Sequence, residues 1–242
     1  MGGGRDTKGG VPSQEERVIR LIRVIASSTV FAVLALQATG AARSNTDPIE
    51  FFSAFTVVSG IATGVTLACL ALRPQLAHSP RFTVVRGGVT VSMCGVGLLF
   101  TALLSTAPEE AAKHLIGSVA MVGDWALDPP PRVRSRWTTT WLALPFLYLV
   151  YTLIRGHLIG WYPYHFIAPT PDRGYWGVLT FAVGIGAVLA VVAFLLNQRA
   201  VAPSDSDEGP GPTMRSQNDV DVTAITNAAD IVRDPLSEES LV

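Results

Sequence analysis

Six stretches of this chain are apolar for long enough to cross a lipid bilayer, and no other feature constrains its fold as tightly. They run over about 18–40, 50–72, 84–106, 111–127, 137–156 and 174–196. Each approaches the ~20 residues a helix needs to span a ~30 Å hydrocarbon layer at 1.5 Å per residue. The 111–127 stretch is the shortest. In lipid every backbone N–H and C=O must be paired within the protein, which leaves helices or closed barrels. Barrel strands show ~10-residue alternating patterns, whereas these runs are continuously apolar. Composition agrees: 15% of residues are charged and 49% hydrophobic, against about 25% charged in a soluble domain. The expected fold is all-α, a polytopic bundle of about six transmembrane helices, with the lipid bilayer as its first partner.

The two ends differ from the middle. Residues 1–16 are Gly-rich and polar and read as a disordered N-terminal tail, residues 17–198 as the transmembrane domain, and residues 199–242 as a disordered tail. The last segment carries nine acids among Ser, Gly and Pro; a partner-docking or phosphorylation segment is the alternative. The first apolar run follows Arg17, Arg20 and Arg23, as a signal peptide would. From Val24 it is about 17 residues long, beyond the usual 7–15-residue signal core, so an uncleaved helix is the better reading.

Arginines and lysines set the orientation. With the N-terminus inside, the inner side holds Arg5, Lys8, Arg17, Arg20, Arg23, Arg73, Arg81, Arg86, Arg132, Arg134, Arg136 and Arg199, and the outer side Arg43, Lys113, Arg155 and Arg173. Twelve against four places both termini in the cytoplasm, with the chain in the cell membrane.

Several functions lose support at this level. No CxxC, HExxH, phosphate loop or GxGxxG is present, which argues against a metalloprotease, an NTPase or a nicotinamide enzyme. Cys69 and Cys94 both fall in apolar runs and read as small buried hydrophobes. No basic stripe interleaved with aromatics points to nucleic acid. No cofactor and no metal site is expected.

Polar groups at membrane depth are costly and therefore mark candidate sites. In the second apolar run Thr56 and Ser59 share a face, which Thr63 continues; back-bonding to a carbonyl or helix packing is the bland alternative. His114 opens the fourth run, ahead of Ser118, Met121 and Trp125. Both runs begin on the outer side, and Thr56 lies about 9 Å below its helix start at 1.5 Å per residue. The two side chains can therefore meet if their helices are neighbours. A hydroxyl beside an imidazole is the minimal activated nucleophile. Asp124, ten residues beyond His114, lies roughly 15 Å away. It is expected near Arg132, Arg134 and Arg136, in an ion pair or a helix-packing hydrogen bond. The cluster Tyr148, Tyr151, Arg155, Trp161, Tyr162, Tyr164 and Phe166 reads as an outer aromatic belt, or as the rim of an outer-leaflet cavity with Arg155 available to an anion. Gly60-x-x-x-Gly64 fits close packing within the bundle as well as a dimer.

These pieces occur together in one family. Phe51-Phe52-Ser53-x-Phe55-Thr56-x-x-Ser59, then His114 with Asp124-Trp125, then Trp141-x-x-x-Pro145-x-x-Tyr148, Arg155-Gly156 and Trp161-Tyr162-Pro163-Tyr164-x-Phe166 resemble the actinobacterial six-helix Pr-six-Pr membrane proteins over about residues 18–196. That family is similar, more distantly, to the androgen-induced and androgen-dependent threonine hydrolases, which cleave fatty acid esters of hydroxy fatty acids. The resemblance implies Thr56 as nucleophile and His114 as its base. The chain departs from the family pattern at Gly60, Ser118, His165, Ala168 and Thr101, which spares the Thr–His pair and changes its surroundings.

Two classes of function follow. The first is an intramembrane ester hydrolase: Thr56 attacks a lipid or acyl ester reaching it from the outer leaflet, His114 moves the proton, and Ser59 or Tyr148 donates to the oxyanion. Ser59, Tyr148, Arg155, Tyr162 and Tyr164 are its candidate substrate-binding residues. The second is a non-enzymatic scaffold or assembly protein, or a transporter. The transporter version lacks a convincing internal repeat and deep ionisable residues.

Overall fold

The computed structural model describes residues 13–99 and 108–201, with only the backbone of 108–113. The N-terminal twelve residues and the tail from residue 202 lie outside this range, as do Thr101 and the end of the third apolar run. The described chain is helical throughout. Its one bridge outside helices joins Pro131 to Val201.

Eight α-helices follow in order: α1 Gln14–Arg43, α2 Pro48–Phe52, α3 Phe55–Leu72, α4 Pro80–Leu99, α5 Pro108–Leu127, α6 Ser135–Thr138, α7 Ala143–Ile159 and α8 Gly174–Arg199. A 3₁₀ turn over Thr139–Leu142 joins α6 to α7. Among the described residues, five helical segments are long and apolar enough to cross a membrane: α1, α3, α4, Ser135–Ile159 and α8. The expected sixth lies in α5, where the described residues form a shorter apolar helix, His114–Leu127.

Several boundaries differ from the sequence reading by a few residues, and three have a clear local cause or consequence. First, α1 begins at Gln14, inside the expected tail: Ser13 and Glu16 form a reciprocal capping box, each side chain bonding the other's backbone N–H. Second, Arg199 closes α8, so the helix reaches one residue into the expected C-terminal tail. Third, the second apolar run is not one helix. Asp47 caps the short α2, whose first residue is Pro48, as proline at that position favours. The chain then breaks at Ser53–Ala54 and restarts as α3. The Tyr148 hydroxyl donates to the Ser53 carbonyl at 3.0 Å, and the Tyr151 hydroxyl lies 2.8 Å from Ser53 Oγ. These bonds give the break polar partners that an unbroken helix would supply itself.

The glycines of Gly60-x-x-x-Gly64 serve packing within the chain. A methyl group on Gly64 would stand 2.6 Å from the Phe31 ring of α1, and one on Gly60 would stand 3.1 Å from Leu34. Ser27 donates to the Gly64 carbonyl at 2.9 Å across the same contact. Helix α4 is the hub, packing on α3, α5 and α8. Trp125 and Trp141 meet edge to face at 5.4 Å beneath it.

Asp124 does form the ion pair expected of it, but with other arginines. Arg23 of α1 donates to Asp124 at 2.7 Å and to Asp128 at 2.7 Å, and Arg86 of α4 lies 2.6 Å from Asp124. Arg86 also donates to the carbonyls of Asp124 and Asp128 at 2.8 and 2.9 Å. It thereby caps the negative end of α5. Arg23 and Arg86 are 3% and 0% exposed, so these two cations belong to the interior rather than to the loops. Arg132 instead bonds Gln198. Two arginines and two aspartates cancel in charge, which is what permits their burial.

Candidate functional site

The break at Ser53–Ala54 decides where Thr56 stands. It is the second residue of α3, in the first turn, and not 9 Å along a longer helix. Ala54 offers no side-chain cap, so the first N–H groups of α3 need partners from elsewhere. The phenol oxygens of Tyr164 and Tyr148 approach them. The Tyr164 oxygen interacts with the backbone of Phe55 and Thr56, and with the Thr56 and Tyr148 side chains. The Tyr148 oxygen meets the Phe55 backbone as well. Its ring packs on Phe55 with centroids 4.7 Å apart. Burial pushes the Tyr164 phenol above its ordinary value, and the hydrogen bonds around it pull it back only in part. Its oxygen therefore sits at the positive end of a helix, with its proton held by burial.

On the other side of Thr56 is a cavity of about 30 Å³ that His114 also lines. Its wall includes Val30 and Gln37 of α1, Gly60 of α3, Met93 and Val96 of α4, and Gly117 of α5. Two residues far apart in sequence thus face one space, because α1, α3, α4 and α5 pack together. Gln37 is the residue that sequence reasoning missed. It is the amide that interrupts the first apolar run, and the rule that singled out Thr56 applies to it equally.

Beyond Tyr164 lies a larger cavity of about 230 Å³, lined by apolar residues of α4, α7 and α8 together with Phe55, Tyr148, Tyr164 and Phe166. Tyr148, Tyr164 and Phe55, the first residue of α3, thus share the wall of this apolar space.

The remaining candidates fall elsewhere. Ser59 is fully buried, and its hydroxyl donates to the Phe55 carbonyl at 2.5 Å; its proton is already committed within the helix. Tyr148 likewise commits its proton to Ser53. Arg155 stacks over Trp161 at 4.2 Å, and Tyr162 packs on Gly156, where a methyl group would stand 2.2 Å from its ring. Neither Arg155 nor Tyr162 lines the small cavity at Thr56 or the larger apolar one. Among the described residues no cluster of His, Cys, Asp or Glu could hold a metal.

Comparison with models of protein families, with characterised proteins and with solved structures gives no match to this chain.

Proposed function

We propose that the chain is an integral protein of the cell membrane that hydrolyses lipid or acyl esters, with Thr56 as nucleophile and His114 as base. Helices α1, α3, α4, α5, the α6–α7 unit and α8 cross the bilayer. The arginine-rich end lies at the cytoplasmic face with both termini, and Thr56 sits in the outer leaflet. The observation that carries this reading is the shared cavity: Thr56 and His114 come from different helices and line one small space.

His114 takes the hydroxyl proton of Thr56 as Oγ bonds to the ester carbonyl carbon. The carbonyl oxygen becomes an oxyanion. Tyr164, at the start of α3, is assigned as its donor, aided by the positive end of the helix. The ester C–O bond then breaks, and the leaving alcohol takes the proton from His114. Water, deprotonated by His114, attacks the acyl-threonine, and Thr56 regains its proton. The apolar cavity beyond Tyr164 suits the acyl chain, and Gln37 is placed to hold the imidazole or the ester.

A fluorophosphonate probe on membranes tests the reading. Labelling of wild type that is lost in Thr56→Ala and in His114→Ala supports it; labelling that persists in Thr56→Ala removes Thr56 as nucleophile. A folded wild type that neither labels nor turns over a lipid ester supports the scaffold reading instead.

A further inference from the structure

At the opposite end of the bundle from Thr56, the start of α4 and the segment after α5 enclose a third space. It measures about 360 Å³ and is lined by Pro80, Arg81, Val84, Arg132, Val133, Arg134 and Trp137. All three arginines are exposed. Arg132 has a neutral partner, Gln198, and none of the three makes an ion pair among the described residues. This contrasts with Arg23 and Arg86, whose charges the aspartates cancel. Pro80 and Arg81 open α4, so the positive end of a twenty-residue helix adds to the field.

We propose that this pocket holds the phosphate of an anionic glycerophospholipid. Guanidinium groups bind phosphate oxygens through forked, charge-assisted hydrogen bonds, and basic pockets between membrane helices take such headgroups. The surroundings favour a lipid over free phosphate. Val85, four residues after the lining Arg81 and so on the same face of α4, is 52% exposed, and Trp137 at the rim is 47% exposed. An acyl chain can run from the pocket along that apolar face, while the indole marks the interface. The proposal rests on the membrane reading above and is independent of the hydrolase reading.

Native mass spectrometry of the full-length protein in detergent, with equal amounts of phosphatidylglycerol and phosphatidylcholine, tests it. Wild type should retain phosphatidylglycerol preferentially. Arg81→Gln combined with Arg134→Gln should cut that preference roughly tenfold or more, since each surface cation contributes to anionic-lipid binding. Arg43→Gln, at the far end of α1, should leave it unchanged. Equal retention of both lipids by wild type, or an undiminished preference in the double variant, overturns the site. Displacement of the lipid by millimolar inorganic phosphate shows a free-anion site and overturns the lipid assignment. Carbonate extraction of membranes separates the two layers of the argument: a chain that washes out overturns the membrane reading and this site together. One that stays but shows no lipid preference fails here alone.

Discussion

Near one end of α5, Asp124 is held between two buried arginines; ten residues earlier on the same helix, His114 lines a cavity with a threonine. The first region is built from full charges. Arg23 and Arg86 reach Asp124 and Asp128 from α1 and α4, and removing one member would leave the others charged and buried. The second region is built from hydroxyls, phenols, an amide and one imidazole. Its hydroxyls, phenols and imidazole border empty space, so losing one of them strands no charge. The comparison teaches a division of labour along one helix: the charged end fixes the packing of α1, α4 and α5, and the other end is left with room for a ligand.

The largest expected effect is at the charged end. Asp124→Ala leaves two buried guanidiniums short of their counter-ion and should cost about 3–5 kcal/mol, read as a large drop in thermal stability in detergent. If Asp124→Ala melts like wild type, the cluster is not what holds these helices. Tyr148→Phe probes the other end, where it removes the bond to the Ser53 carbonyl. It should cost about 1 kcal/mol, measured the same way. Thr56→Ala and His114→Ala should each change stability by no more than about 1 kcal/mol, while abolishing probe labelling. A loss of stability in either as large as that of Asp124→Ala would erase the contrast between the two ends.

The smallest expected effect concerns pH. Because the Tyr164 phenol is raised above its ordinary value in the folded chain, an unfolded chain loses this proton first as pH rises past about 10. The unfolded state then binds fewer protons, and stability falls with rising pH. Wild type should therefore lose more stability than Tyr164→Phe between pH 9 and 11. Equal losses would mean that Tyr164 is not held neutral by its surroundings.

Much of this was legible in the chain itself. The long apolar runs gave the all-helical class and the rough extent of the main helices, because a long apolar segment has few other ways to pair its backbone. The polar residues interrupting those runs pointed to Thr56 and His114, since hydroxyls and imidazoles in apolar surroundings need a reason to be there. The capping box Ser13-x-x-Glu16 is also legible in the sequence and marks the start of α1 at Gln14.

Other features depended on tertiary structure. Neither glycine nor proline marks the break at Ser53–Ala54; Tyr148 and Tyr151, from a helix nearly a hundred residues away, give it partners. Asp124 had several arginines to choose from, and its pairing with Arg23 and Arg86 follows from which helices are neighbours. For Ser59 the sequence left open a site role or back-bonding within the helix, and its hydroxyl donates to the Phe55 carbonyl. Local pattern determines which segments become helices, because backbone pairing and side-chain polarity act within a few residues. Which polar groups meet is decided by packing, because a charge or a hydroxyl buried in apolar surroundings takes whatever partner the neighbouring helices bring within reach.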